Sequence, residues 1–460
     1  MPVPSTHPIN TSCHRHWRVR LTCAAAISFS LLVSGCASLS QPVHTDPSQT
    51  QAALQHTAWW GDFNDPLLSQ LVEQALQANT SIRSAQAALQ QARALRDVKN
   101  AGLLPNISVS GGTTRSDIGT STASTKFSAG LDAAWEIDVF GGKNSTLSAS
   151  EFDTLASQAN LRDVQVSIAA EVALAYIQLR GQQAQLAIAR NNLASQSETL
   201  QLTDWREQAG LVTSLEVEQA KAAAAQTSAQ IPTLTASIAK TRHSLAVLTG
   251  QRPLELDLLL SASQPVPKTD ELSTTTIPAD TLRQRADIRA DEHRIQAALS
   301  RVDAADAARY PSFKLTGKLD LSTLTLAGLT NGASLIGGFS IPLFDAGAGK
   351  SQVLAQQAAL EQARAAYQNT VLTALKEVED ALISLQADRQ RLQLLQQAAT
   401  AAANAALLAQ NRYNSGLIDF QTVLQTQRTL LSAQDSVASL LADLSSDHVR
   451  LIKALGGGWQ

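Results

Sequence analysis

The sequence has little of what a compact enzyme core is built from. Of 460 residues only 4% are aromatic and one is Met, although 44% are hydrophobic. Ala, Leu and Gln dominate instead, and these residues favour long helices packed at close range. An excess of one charge is also missing. The formal net charge is −3, so there is no large basic field to hold nucleic acid. Cysteine is scarce: Cys13, Cys23 and Cys36 have no paired spacing, which excludes a disulfide scaffold and a zinc ribbon. The eight His do not cluster. His7, His14, His16, His44 and His56 lie before residue 60, and His243, His293 and His448 each fall on a helical pattern. No H-E-x-x-H, P-loop, G-x-S-x-G or dinucleotide-binding glycine pattern occurs. The sequence therefore offers no catalytic residue, metal ligand set or cofactor site, and any energy for work must come from a partner.

What is present begins with an address. Arg15, His16, Arg18 and Arg20 precede a short apolar run, residues 21–34. That run falls short of the ~20 residues needed to span a bilayer. It ends in Val33-Ser34-Gly35-Cys36, which resembles the bacterial lipobox. On that reading residues 1–35 are a lipoprotein signal peptide, Cys36 carries the lipid, and residues 36–58 are an acylated tether. The alternative is an ordinary signal peptide with an incidental cysteine. Residue 37 is Ala rather than the Asp that retains lipoproteins at the inner membrane, which favours the outer membrane.

After residue 60 the chain reads twice, with an offset of about 205 residues. Each half opens with a helical pattern ending at a proline, Leu103-Leu104-Pro105 and Arg309-Tyr310-Pro311. Each continues into a Gly/Ser/Thr-rich region and closes it with an apolar segment, Trp135 to Gly141 and Ile341 to Gly347. A very long helical stretch follows in each. Val172, Leu179, Leu186, Leu193 and Leu200 recur every seven residues, as do Val371, Val378, Leu385 and Leu392, so these helices pack side by side. They stop at Gly210-Leu211-Val212-Thr213 and Gly416-Leu417-Ile418-Asp419, where glycine permits the left-handed conformation that ends a helix. A second long helix returns in each half. Pro232 predicts a kink or break in the first returning helix.

The Gly/Ser/Thr regions alternate with period two. Phe127, Ala129, Leu131, Ala133, Trp135, Ile137 and Val139 are apolar, with Ser128, Asp132, Glu136 and Asp138 between them. Phe313, Leu315, Leu319 and Leu321 alternate with Lys314, Thr316, Lys318 and Asp320. Strands are expected at about 106–115, 127–140, 312–321 and 333–343. Each is near the 9–11 residues of a tilted membrane strand (~10). Trp135, Phe140, Tyr310 and Phe344 sit at strand ends, where an aromatic girdle belongs. A soluble sandwich would need about seven strands. Four strands cannot lie open in lipid, nor close a barrel alone. Two chains would make 8 strands with a nearly filled interior, and three would make 12 with room for a channel (about 8 fills the interior).

The sequence resembles the outer-membrane factors of tripartite efflux systems, the TolC-like channels, and among them the NodT-type efflux lipoproteins. Trp59-Trp60, Phe63 and Asp65-Pro66-Leu67 match the family's opening motif. Trp135 to Gly142, Leu245 to Gly250, Gly338 to Gly347, Glu377 to Leu382 and Lys453 to Trp459 match later ones in order. The resemblance implies a mixed α and β membrane protein with an internal twofold repeat. It implies a homotrimer whose 12-stranded outer-membrane β-barrel, four strands per chain, continues into a long periplasmic α-helical barrel. It implies a passive exit channel for small molecules such as drugs in a Gram-negative bacterium, lipid-anchored and inserted in the outer membrane. Its expected partners are a periplasmic adaptor and an inner-membrane RND-type pump. The adaptor would dock at Gly210, Leu211, Val212, Thr213, Gly416, Leu417, Ile418 and Asp419.

The expected organisation is a first repeat at 59–250, an equatorial linker at 251–277, a second repeat at 278–455 and a tail at 456–460. Two departures stand out. Arg285-Ala286-Asp287-Ile288 replaces the family's Arg-Pro-Asp-Ile, which predicts a looser turn. Relatives carry acidic residues after the second tip where this chain has Thr422 and Gln425. The periplasmic constriction is therefore expected to rest on Tyr413, Thr422 and Gln425, with weaker block by divalent cations. Two other readings remain, a protein-secretion duct of the same fold and a non-conducting coiled-coil lipoprotein.

Overall fold

Asp65 caps the first α-helix. Its Oδ1 accepts from the Leu67 and Leu68 amides and Pro66 occupies the first helical position, so three otherwise orphaned backbone sites at this helix start are resolved locally. The computed structural model describes residues 58–116, 124–269, 283–323 and 328–457. Cys36, the signal and tether assigned around it, and Gly458-Trp459 lie outside the described residues. All the described residues belong to one compact unit, Thr57–Gln460.

In chain order the elements are α1 (Pro66–Ala78), α2 (Thr80–Ala101), β1 (Asn106–Ser116), β2 (Ser124–Ile137), α3 (Gly142–Gln208) and α4 (Ser214–Leu248), then α5 (Ala286–Ala307), β3 (Ser312–Thr323), β4 (Leu329–Ser340), α6 (Ala348–Asn414) and α7 (Phe420–Ala454). A 3-10 turn, Trp59–Phe63, precedes them. From α2 onward the helices of the first half return 206 residues later: α2 as α5, α3 as α6, α4 as α7. α3 and α6 each run 67 residues, about 100 Å at 1.5 Å per residue. The heptad residues Val172, Leu179, Val378 and Leu385 are buried in the helical seams.

The helices stand in four columns. α2 and α4 pack on α3, α3 packs on α5 and α7, and these pack on α6. In two of the columns, α2 with α4 and α5 with α7, the helices meet end to end. Asn79 caps α2 through Oδ1 and donates Nδ2 to the last carbonyl of α4, Leu248. Gly250, at φ +71°, lets the chain pass so close that a Cβ would lie 2.6 Å from the Ala78 carbonyl oxygen, so no other residue fits this joint. In the second half Arg285 reaches the last carbonyl of α7, Ala454. It also pairs with Asp287 and Glu377. The turn expected to be loose without proline is thus held by a buried guanidinium.

α4 runs through Pro232 unbroken, contrary to the sequence expectation. Pro232 and Ser228 are exposed, so the carbonyl deprived of its donor faces water and the helix continues past it.

The strands form one antiparallel sheet in the order β1-β2-β3-β4. They are shifted from the sequence expectation: β2 and β4 begin earlier and end three residues sooner. Apolar alternation continues past their ends, but the backbone does not. Asp138 leaves the ladder to accept from the Lys143 and Asn144 amides at the start of α3. Pro342 has no amide to donate, and Asp345 accepts from Gly347 and Gly349 at the start of α6. These backbone donors hold the Asp345 carboxyl below its usual range. At the other strand ends polar residues pair as readily as apolar ones, with Ser124 opposite Ser116.

The largest apolar cluster joins Trp59, Trp60 and Phe63 to α1, the middle of α3 and the segment after α4. A polar thread crosses it. Tyr176 donates to Asp65 Oδ2 at 2.7 Å, and the fully buried Arg180 donates to Tyr176, Gln183 and the Ala262 carbonyl. Burial and the Asp65 hydrogen bond push the Tyr176 phenol up to about 12. The opening motif is therefore a bolt between α1 and α3.

Candidate functional site

The sheet has two unlike faces. Register places Ile107, Val109, Leu131, Trp135, Ile137, Phe313, Leu319, Leu335 and Phe339 on one. That face is uncovered: Val109 is 80% exposed and Phe339 73%. Across the other face Asp132 stands opposite Lys318 and Glu136 opposite Lys314, opposite charges that favour the pairing. Ser110 adds a 2.6 Å hydrogen bond to Asp132. An apolar wall this large and bare marks contact with something other than water. No helix among the described residues is long and apolar enough to cross a membrane, so the sheet is the element that can meet lipid.

Aromatic rings mark where the sheet gives way to helices. Phe140 stacks on Tyr310 at 5.0 Å between centroids, and Phe313 lies between Phe140 and Phe339. The Trp135 indole donates to the Leu103 carbonyl at 2.9 Å. Of the four girdle residues expected from sequence, Trp135, Phe140 and Tyr310 join this belt. Phe344 is 91% exposed and makes no ring contact with the belt among the described residues.

At the far end the two hairpin tips repeat one geometry. Gly210 and Gly416 take φ of +71° and +73°, and the turns close through Gly210 N to Glu207 O and Gly416 N to Tyr413 O. Leu211 and Leu417 project from the tips, while Val212 and Ile418 are half-buried. Thr213 and Asp419 are exposed and start the returning helices. Asp419 accepts from the Thr422 side chain and amide, which lowers its carboxyl below the usual range. Thr213 makes no such cap bond.

Of the three residues expected at the constriction, Thr422 and Gln425 are exposed one turn apart on α7. Tyr413 is 3% exposed and packs on Phe420 at 5.6 Å. It stands behind the surface and ties the two hairpins together. Its hydroxyl faces Glu216 on α4 at 3.5 Å. Arg206 stacks over its ring at 4.5 Å and donates to the Tyr413 and Asn414 carbonyls. Arg206 and Glu216 were missed by pattern reading. The signal that could have found Arg206 is its repeat mate Arg412, the same residue at the same place in the second half.

These two features, an uncovered apolar sheet and a duplicated helical hairpin, are shared with known proteins. The family model for the outer membrane efflux protein matches residues 71–251 and again 277–457. The chain belongs to the outer membrane efflux protein family. It is 32% identical over 425 residues to the toluene efflux pump outer membrane protein TtgF of Pseudomonas putida, covering 90% of this chain and 87% of that one. It is 31% identical over 467 residues to the pyoverdine export outer membrane protein OpmQ of the same species, covering 96% and 98%. The structure of the outer-membrane channel OprN superposes with a TM-score of 0.83 at 35% identity, covering 88% of this chain and 93% of OprN. As an outer membrane efflux protein the chain is an outer-membrane exit channel component, with its sheet in the membrane and its long helices reaching into the periplasm. The double family match falls at the same 206-residue step as the elements.

Proposed function

We propose that three copies close head to tail into one passive duct, and that this duct is the exit of a tripartite efflux system. The observation that carries the reading is that both sides of the chain end on half of a joint already made inside it. β2 pairs with β3 within the chain; one repeat on, β4 would pair with β1 of the next copy. α3 has helices on both flanks, while α6 packs mainly on α5 and α7 and meets the first hairpin near the tips. Ile177 on α3 is fully buried and its repeat mate Ile383 on α6 is 64% exposed. A heterologous contact of this kind closes into a ring when the rotation between copies closes. Closure removes the sheet edges that lipid does not tolerate. Two copies would leave an interior nearly filled by side chains, whereas three leave a lumen (about 8 strands fills it).

A bare apolar sheet speaks against a tether that conducts nothing, since a tether needs no lipid-facing strands. With its charged pairs turned from the apolar face, the lumen is wet and unselective, so small organic cargo would be chosen by an inner-membrane RND-type pump. The tips around Leu211 and Leu417 would dock the periplasmic adaptor. Acylation of Cys36 would anchor the chain to the outer membrane.

Native mass spectrometry of the detergent-solubilised protein, joined with planar-bilayer recording, tests the reading. Three chains and a measurable conductance are expected. A stable monomer, or a trimer silent under all applied voltages, would overturn it. Radiolabelled palmitate incorporation lost in Cys36→Ala tests the anchor.

A further inference from the structure

Arg206 and Arg412 stand 206 residues apart at the same place in the two halves, four residues before the tip glycines. Arg206 is fully engaged inside the chain. Its Nη1 donates to the Tyr413 carbonyl at 3.0 Å and its Nη2 to the Asn414 carbonyl at 2.8 Å. Arg412 is exposed and, among the described residues, meets no partner. The position that repeats Tyr413 is Glu207, which is half-buried and whose carboxylate makes no hydrogen bond or ion pair among the described residues.

The receiving end is already built. The turn after Glu207 closes by Gly210 N to Glu207 O at 2.8 Å and Leu211 N to Arg206 O at 2.8 Å; the turn after Tyr413 closes by the matching bonds at 2.9 Å each. The Glu207 and Gln208 carbonyls thus stand at the end of α3 as the Tyr413 and Asn414 carbonyls stand at the end of α6. A carbonyl oxygen has two lone pairs and can accept from more than one donor, and Tyr413 O accepts from Arg206 in addition to the backbone amides of its own turn. Glu207 O accepts, among the described residues, from the backbone amides of its turn alone.

Resting on the closed ring of three copies, the repeat fixes what meets what. Hairpin α6–α7 faces the next copy's α3–α4 as α3–α4 faces α6–α7 within the chain. We propose that Arg412 of each copy enters the end of α3 in the next copy, where it donates to the Glu207 and Gln208 carbonyls and pairs with the Glu207 carboxylate. A guanidinium is suited to this double role because its fork can bond two acceptors at once. The negative end of the helix dipole adds to the attraction.

The ring of hairpins then alternates two kinds of joint. Within a copy, an aromatic ring receives the guanidinium. Between copies, a carboxylate receives it. The first joint is indifferent to salt and the second is screened by it, so the tips part between copies before they part within one.

The test uses the full-length protein in outer-membrane fractions. Arg412→Cys and Glu207→Cys are combined in one chain and treated with a short bismaleimide, then run on a denaturing gel. Covalent dimers and trimers are expected from the double variant and from neither single one. A product that stays monomeric while native mass spectrometry still counts three chains would overturn the Arg412 joint and leave the duct intact. Wild-type protein that is not a trimer would overturn the duct itself. A second measurement removes dependence on the linker. Arg412→Glu should raise single-channel conductance severalfold, and Glu207→Arg added to it should bring the conductance back down. Wild-type conductance in Arg412→Glu would overturn the proposal.

Discussion

Asn79 donates to the Leu248 carbonyl at 2.8 Å, and Arg285, its counterpart in the second half, donates to the Ala454 carbonyl at the same distance. One position in the repeat thus ties the end of a returning helix to the start of the next in both halves, with an amide in one and a guanidinium in the other. The costs of removing them differ. Asn79→Ala loses a cap and leaves the Leu248 carbonyl short of a donor, about 1–2 kcal/mol. Arg285→Ala strips Asp287 and Glu377 of their common cation as well. Breaking a buried pair costs about 3–5 kcal/mol, and the half-exposed Glu377 brings this down to about 2–3 kcal/mol. Denaturant unfolding in detergent should rank Arg285→Ala below Asn79→Ala. The reverse order would show that the guanidinium contributes less than its contacts suggest.

Ala286→Pro is expected to stabilise the same joint. Ala286 is the first residue of α5, and Arg285 before it is extended at φ −59°, ψ 135°, the conformation a following proline demands. Proline at the first helical position gives up an amide that has no intrahelical partner. Restricting the unfolded chain should add about 0.4–1 kcal/mol. The check is a rise in the thermal midpoint of the variant with trimer mass unchanged.

How much of this was legible in the sequence follows from which forces are periodic. The long helices, their heptad seams and the four strands are written in repeating apolar positions such as Val172, Leu179 and Val378, so they could be read without coordinates. The duplicated order of signals carried the fold and the two tips. Strand ends could not be read this way, because Asp138 and Pro342 end the ladders while apolar alternation continues through Val139 and Leu343. Pro232 was misread because a missing hydrogen bond is costly only where water cannot replace it. At the tips, Thr422 and Gln425 fall on the expected exposed face of α7. The burial of Tyr413 under Arg206 depends on a contact across 207 positions of chain, which no local pattern records.

Neutral side chains on α7 make a prediction about cations. Thr422 and Gln425 are exposed on one face of the helix, so a ring of copies presents hydroxyls and amides there, without carboxylates to hold a hard divalent ion. Addition of millimolar-range Mg²⁺ or other divalent cation to the periplasmic side should leave the conductance nearly unchanged. Thr422→Asp with Gln425→Asp should create a cation-binding ring and a block that saturates with concentration. Strong block of the wild-type channel, unaltered in the double variant, would place the cation site elsewhere.

His448 gives the fold an acid sensitivity. It is buried on α7, where the Leu444 carbonyl can only accept and therefore fixes the Nδ1 proton, at 2.9 Å. Nε2 is left to accept from Arg389 at 3.5 Å. Burial first, and the Arg389 charge with it, lower the imidazole from its ordinary 6.5 against the pull of Leu444 and Asp447. Between 6.5 and that lower folded value the unfolded chain binds a proton that the folded chain refuses, so stability falls as pH falls through this window. Burial acts with the opposite sign on Asp163 and Asp447, whose raised carboxyls take up protons early in the folded state. Their effect lies nearer the carboxylate range, so the interval from pH 7.5 to 5.5 isolates the histidine. Over it the wild-type thermal midpoint should drop, and His448→Gln, which keeps a polar group but cannot charge, should show a flatter profile. Parallel profiles for the two proteins would mean that His448 does not control the acid response.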